Sequence, residues 1–253
     1  MFVIGLDIGT TSAKALVLER DGRIAACGSR ELKLFSDGCH VEQRAEDWTE
    51  AATAAVREAL RGIDGSQVEA VSLSTQGAST VALDRDGKTI GNALTWMDSR
   101  SVEEAAELER KLSNEYIYGA TGWKVNPSLD AAKIMHMKKQ PRYGKASSFL
   151  STLEFMNRFL TGSAVIDPTN AAMRQLYHIR NGCWDNRIMK ASGIREQELT
   201  PVLPSGVEVG KLCKNAADLM GLKTGIPVFN GLHGQYCAAV GAGAVHEGDM
   251  LLS

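Results

Sequence analysis

Apolar positions alternate with polar or small ones from the very start of the chain. Phe2-Val3-Ile4-Gly5-Leu6 runs into Asp7-Ile8-Gly9-Thr10-Thr11-Ser12-Ala13-Lys14, and a second apolar run, Ala15 to Leu18, follows at once. Two strand-like runs joined by a glycine and hydroxyl residues predict a tight hairpin. Asp21-Gly22 marks a second turn, and Arg23 to Leu34 alternates well enough for a third strand, so the chain opens as an antiparallel meander. Cys39 to Arg44 reads as a polar loop. Trp48, Ala52, Ala55, Val56 and Ala59 then recur at helical spacing within Ala45 to Leu60, and Gly62 to Gly65 ends that helix. Short apolar strands are predicted at Val68 to Leu73, Val81 to Leu83 and Ala93 to Trp96. Ser101 to Leu112 is an amphipathic helix with glutamates in its first turn, where the helix dipole favours them.

From about Asn114 to Val202 the pattern changes to helices and long loops, with helices expected at Asn114 to Gly119, Ser128 to Lys139, Thr152 to Leu160 and Asn186 to Ala191, and a loop at Asp167-Pro168-Thr169-Asn170. This stretch reads as a helical insertion whose face closes over a ligand. Strand character resumes at Val207 to Leu212 and again at Val228 to Gly231, the latter running directly into a helix from Gln235 to Val240, with a short helix at Asn215 to Met220 between them. Met250 to Ser253 reads as the opening of an apolar strand that stops, the pattern expected of a chain cut at a domain border. No internal repeat or interdomain linker is visible.

Composition narrows the function classes. A chain of 253 residues that is 44% hydrophobic can bury one large core, or one core with an insertion, and a net charge of −2 with both signs mixed offers no basic face for nucleic acid. Cys27, Cys39, Cys183, Cys213 and Cys237 are scattered and odd in number, as expected of reduced thiols in the cytoplasm, and the histidines show no metal-ligand spacing. No apolar run has membrane-spanning length. The expected partner is a small neutral or anionic molecule, and the expected setting is soluble and cytoplasmic.

The hairpin turn has its own chemistry. Gly9 lets the backbone approach an anion, the hydroxyls of Thr10, Thr11 and Ser12 donate, and Lys14 adds positive charge, so the turn suits phosphate. A carboxylate at Asp7 would repel phosphate unless a divalent cation stood between them. The alternative is an ordinary hairpin in which Asp7 caps the turn. Thr11-x-x-Lys14 does not signal acyl transfer in this setting, and Gly241-x-Gly243 follows a helix instead of opening one, the wrong order for dinucleotide binding.

Asp7-Ile8-Gly9-Thr10-Thr11 with Lys14, Val41-Glu42-Gln43 before Trp48, Trp96-Met97-Asp98-Ser99-Arg100, and Asn230-Gly231-Leu232-His233-Gly234-Gln235 with Gly241-Ala242-Gly243 lie in a fixed order. Together they resemble the N-terminal domain of FGGY-family carbohydrate kinases, the group that includes xylulokinase and glycerol kinase, and the likeness covers essentially the whole chain. The resemblance implies an α/β fold, the ribonuclease-H-like or actin-like ATPase domain, with a mixed sheet and the helical insertion at about 114–202. It implies transfer of the γ-phosphate of ATP, with Mg2+, to a sugar or polyol hydroxyl. The C-terminal nucleotide-binding lobe that completes such an enzyme is absent from this chain, which on its own is expected to be inactive; a homodimer is an assembly the resemblance leaves open.

By that resemblance Asp7 serves metal and catalysis, and Gly9, Thr10, Thr11, Ser12 and Lys14 serve the nucleotide phosphates. Gln76, Gly77, Ala78, Trp96, Asp98, Arg100 and Gln235 serve the substrate. Trp96, Asp98 and Arg100 are expected on one face together, by strand alternation, with an Asp98–Arg100 surface ion pair as the alternative. Glu42 and Gln43 are a loop pair within these motifs, with a solvated bend before a helix as the bland alternative. Relatives carry His-Asp-Gln where this chain has His233-Gly234-Gln235, and that Asp is their general base. Glycine cannot take a proton, and general-base assistance typically contributes ~10²–10⁴-fold. Three readings stay open: an inactive variant or non-catalytic sugar-binding relative, His233 as substitute, or another carboxylate such as Asp167.

Overall fold

The computed structural model describes residues 1–252; Ser253, the last residue of the strand expected at the end of the chain, lies outside them, and Met250 to Leu252 are irregular. The opening meander is as predicted. β1 (Phe2–Ile8) pairs antiparallel with β2 (Ser12–Glu19), and β2 with β3 (Ile24–Glu31). Alternation turns Ile4, Leu6 and Ile8 into the core and leaves Asp7, between two of them, on the opposite face. The stretch from Cys39 to Arg44, expected as a polar loop, instead contains β5 (His40–Gln43), preceded by β4 (Phe35–Asp37), which no signal in the sequence announces. β5 becomes a strand by pairing with the distant β8 and β4 by pairing with β5, not from local pattern, because most of these side chains are exposed.

Helix α1 (Ala45–Ala59) buries Trp48, Ala51, Ala52, Ala55, Val56 and Ala59 against the meander. The parallel strand β6 (Val68–Thr75) lies beside β1, then come β7 (Thr80–Leu83) and β8 (Thr89–Leu94). After α2 (Val102–Leu112) the chain enters the predicted helical stretch with α3 (Asn114–Thr121) and α4 (Asp130–Lys139). That stretch is not purely helical. β9 (Ser148–Ser151) pairs with β7, α5 (Thr152–Thr161) packs onto α1, and β10 (Tyr177–His178) and β11 (Cys183–Trp184) make a small ladder. The expected loop at 167–170 starts helix α6 (Pro168–Met173), with Asp167 as N-cap and Pro168 in the first turn, both standard start signals. α7 (Asn186–Ser192), β12 (Glu208–Lys211), α8 (Lys214–Met220), β13 (Pro227–His233) and α9 (Gly234–Gly241) complete the described elements.

The main sheet is mixed, in the order β12-β13-β6-β1-β2-β3, and the second is antiparallel, in the order β4-β5-β8-β7-β9. One apolar core lies between the main sheet and α1, α5 and α8; another joins α2, α3, α4 and α7 to the second sheet. What positions a site is the run of parallel neighbours β13, β6 and β1, whose carboxyl ends emerge side by side. In open α/β sheets, ligands bind beyond such ends.

Candidate active site

A cleft of about 450 Å³ opens at those strand ends, lined by Asp7, Gly9, Thr10, Thr75, Gln76, Gly77, Trp96, Met173, His233, Gly234 and Gln235. That volume suits a small molecule. β1 delivers Asp7 and the hairpin turn, β6 delivers Gln76 and Gly77, and the corner between β13 and α9 delivers residues 233–235. Met173, from the end of α6, is a lining residue that the sequence does not announce.

Asp7 sits half-buried, its Oδ1 accepting the Ser74 hydroxyl at 2.7 Å. Lys14 is its direct cross-strand partner and is exposed. Gly9 closes the turn through its amide, 3.0 Å from the Ser12 carbonyl, and a side chain there would crowd that carbonyl and stand 3.7 Å from Asp7 Oδ2. Thr11 is exposed and Ser12 partly so, at the tip of the turn. The Thr10 hydroxyl donates to Gln76 Oε1 (3.2 Å) and accepts from the Trp96 indole (2.8 Å). It therefore ties the turn to the opposite wall.

That wall is a knot of amides. Gln76 Nε2 donates to Gln43 Oε1 (2.8 Å), which also accepts the Trp48 indole (3.0 Å), while Gln43 Nε2 donates to the Thr10 carbonyl (2.7 Å). Gln43 is fully buried, not a solvated bend, and Gln76 faces the cleft with both ends of its amide already engaged. Trp96 stands 48% exposed as the apolar face.

Asp98 and Arg100 are not where alternation put them. Residues 95–100 form a turn beyond the end of β8, so the period-2 rule does not operate, and Asp98 is buried behind the wall instead of facing the cleft. Its carboxylate accepts from the Val41 amide (2.8 Å), the Arg100 amide (3.2 Å) and the Arg100 guanidinium (2.6 Å at the closest). Arg100 also donates to Glu42 at 2.8 Å. Burial works against the guanidinium charge, but the hydrogen bonds it donates to Asp98 and Glu42 outweigh it and raise its pKa above the usual value. The pair is neither a surface ion pair nor a direct substrate contact; it holds the turn that carries Trp96. Ala78 is likewise buried, with φ +48°, outside the lining.

At the corner, a Cβ on Gly234 would meet nothing nearer than the Thr75 carbonyl at 3.5 Å and Ser74 Oγ at 3.6 Å. The backbone is therefore ready to carry a larger residue. The His233 ring lies on Gly77, where a Cβ would come within 2.5 Å of its Cδ2 and 2.9 Å of its Nε2. The imidazole at 233 thus occupies the space that a side chain at 77 would need. Burial lowers the His233 pKa, partly opposed by Asp167, and its Nδ1 is buried without a hydrogen-bond partner among the described residues. Gln235 is exposed on the lining. Asp167 is not a stand-in base. It is fully buried, capping α6 through the Thr169 and Asn170 amides (2.9 and 3.1 Å) and accepting the hydroxyls of Thr169 and Ser205. Thr169 Oγ1 in turn accepts the His233 amide at 2.9 Å and pins the corner.

Among the described residues, no cluster of metal-ligating side chains occurs and no helix is long and apolar enough to cross a membrane. Residues 2–241 match the family model described as the FGGY family of carbohydrate kinases, N-terminal domain. The chain is 31% identical to a glycerol kinase from Xanthobacter autotrophicus, over 98% of its length and 51% of that protein. It is 27% identical to a xylulose kinase from Bacillus subtilis, over 100% and 51%. Among solved structures, a xylulose kinase from Rhodospirillum rubrum superposes with a TM-score of 0.93 at 26% identity, over 98% of this chain and 52% of that one. The chain therefore spans about half the length of the curated relatives it matches.

Proposed function

The chain belongs to the FGGY family of carbohydrate kinases, and on that premise we propose that its cleft is the acceptor half of an ATP-dependent kinase for a sugar or polyol. The observation that carries this is the convergence of unlike chemistry on one cleft. The donor-rich turn with Asp7 and the amide-and-indole wall face each other there, joined through the Thr10 hydroxyl. Phosphoryl transfer is mostly positioning and charge neutralisation, which is what such a pairing supplies.

In this reading Thr11, Ser12 and Lys14 meet the phosphates of ATP, and a second lobe of the kind that completes the relatives holds the rest of the nucleotide. Asp7 is the side chain for Mg2+: it is the one carboxylate on the lining, and magnesium usually takes one or two carboxylates and fills its other positions with water and phosphate. When bound, the ion neutralises charge between carboxylate and phosphates. Trp96 and Met173 give the carbon skeleton an apolar surface, and Gln235 contacts a hydroxyl. Gln76 acts by holding the wall in place.

Proton acceptance is the weak point. Lowered by burial, the His233 imidazole is neutral near pH 7, but its Cδ2–Nε2 edge is turned onto Gly77, which makes it a wall before it is a base. Transfer by the natural sequence is therefore slow. The test is labelled-phosphate transfer from ATP to glycerol and to D-xylulose by the product of the intact gene and by its Gly234→Asp variant. Because the position is open, the variant is expected to raise kcat ~10²–10⁴-fold. No transfer by either protein would remove the kinase reading.

A further inference from the structure

Helix α4 is buried on almost every side, and in its middle sits Lys133, with no exposed surface at all. A buried ammonium is costly, and stability alone is commonly served as well or better by an apolar residue of similar volume. An acidic neighbour is present one turn back, Asp130, but it lies 3.2 Å from Arg174 Nε, in a buried cluster that also pairs Arg174 with Glu154 at 3.0 Å. The Lys133 ammonium makes its hydrogen bonds elsewhere. It donates to two main-chain carbonyls far apart in sequence, that of Ala78 at 2.7 Å and that of Thr95 at 2.5 Å.

Both acceptors adjoin the cleft. Ala78 follows Gly77 and Thr95 precedes Trp96, and both Gly77 and Trp96 are lining residues. Ala78 also has φ +48°, a conformation L side chains rarely adopt, which persists only where surrounding structure enforces it. Among the described residues, the hydrogen bonds of Lys133 join the segment after β6 directly to the turn after β8, behind the lining. Burial pushes its pKa down to about 8, against the pull of Asp130 and Asp98 and with the push of Arg100, so at neutral pH the ammonium is charged.

We propose that Lys133 is a positioning residue for the acceptor site: from the back of the wall it fixes the distance and tilt between Gly77 and Trp96, and so the width of the slot that receives a polyol. This rests on the kinase reading of the cleft, but the tether itself does not. Two readouts separate them. The 253-residue chain is labelled with 5-fluorotryptophan, its Trp96 signal is identified by Trp96→Phe, and fluorine spectra are taken without ligand for the natural chain and for Lys133→Met. The Trp96 line is expected to move or broaden while those of Trp48, Trp123 and Trp184 stay. Calorimetry with glycerol and D-xylulose is then expected to show at least tenfold weaker binding by Lys133→Met. Met220→Ala, a fully buried core change on α8 in the other apolar cluster, controls for lost stability and is expected to bind within twofold of the natural chain. If Lys133→Met does not fold, Lys133→Gln, whose shorter amide keeps donors, takes its place with a smaller shift of the same kind. An unmoved Trp96 line, or equal weakening by Met220→Ala, overturns the proposal. A moved line in a chain that binds neither probe leaves the tether standing and counts against the polyol reading alone.

Discussion

Asp7 and Asp98 lie on opposite sides of one wall, Asp7 across the cleft that the wall lines and Asp98 buried behind it, and show how differently the same side chain is used. On the cleft face, Asp7 is half-buried and accepts the Ser74 hydroxyl. On the back face, Asp98 is wholly buried and accepts from the Val41 amide and from the main chain and side chain of Arg100. A carboxylate whose lone pairs are already engaged by the protein fixes geometry, whereas one with an oxygen directed at open space can engage a ligand. The difference lies in surroundings and not in residue type, and it divides the whole neighbourhood. Thr10, Trp96 and His233 belong to the front, and Glu42, Arg100 and Lys133 belong to the back.

Exchanging the two phenotypes would break the comparison. Asp98→Ala leaves the Arg100 guanidinium buried with Glu42 as its one remaining carboxylate. Breaking a buried pair from one side typically costs about 3–5 kcal/mol, so urea unfolding should show a loss of that order. Asp7→Asn keeps an acceptor for Ser74 and should change stability by less than about 1 kcal/mol. The same substitution should lower phosphate transfer by the intact gene product about a hundredfold or more, the scale of lost charge stabilisation beside a metal. A stable Asp98→Ala protein, or an unstable Asp7→Asn one, would erase the distinction between front and back.

The back face also carries a signature in alkaline solution. Lys133 has its pKa lowered from the ordinary 10.5 to about 8 by burial. Between those values the unfolded chain keeps a proton that the folded chain has released, so folding stability rises with pH across that window, and the burial penalty is fully present below it. At about 1.4 kcal/mol per pH unit the change is roughly 3 kcal/mol. It should appear as the difference between natural and Lys133→Met chains in denaturant titrations from pH 7.5 to 10.5, with the natural chain gaining. A flat difference would mean that the ammonium is not desolvated where it sits.

How much of this was legible depends on the range of the interactions. The meander, α1 and α2 were readable because their signals are local, and alternation alone placed Asp7 on the face away from the core. β4 and β5 were not readable, since Phe35 to Asp37 are exposed and become a strand only by pairing along β5, which itself pairs with β8. α6 could have been found, because Asp167 followed by Pro168 is a helix start. In the site, the motifs found the front, but Asp98 and Arg100 were misplaced because a turn does not alternate. Met173 and Lys133 reach the cleft or its back wall through contacts distant in sequence, which no pattern within a window reports. The open space at Gly234 and the His233 ring on Gly77 are facts of packing, invisible until the chain is folded.

The smallest effect belongs to the front. A Cβ at position 77 would meet the edge of the His233 ring and stand 3.1 Å from Met173 Cγ, atoms of side chains that can move, so Gly77→Ala should cost only about 1–2 kcal/mol as a case of overpacking. Removing the ring should relieve most of that cost, and in a His233→Ala background the same change should be nearly neutral. The coupling in a double-mutant cycle should therefore be about 1 kcal/mol in size, within the range seen for residues in contact. Polyol affinity gives the sharper reading. If the ring serves as the wall at this corner, Gly77→Ala displaces it and weakens glycerol binding a few-fold, while Asp98→Gln, if it folds, disturbs the slot through Trp96 instead and adds to that loss independently. Additive stabilities at 77 and 233 would show that the imidazole does not rest on the glycine, and the front wall would then have to be drawn without it.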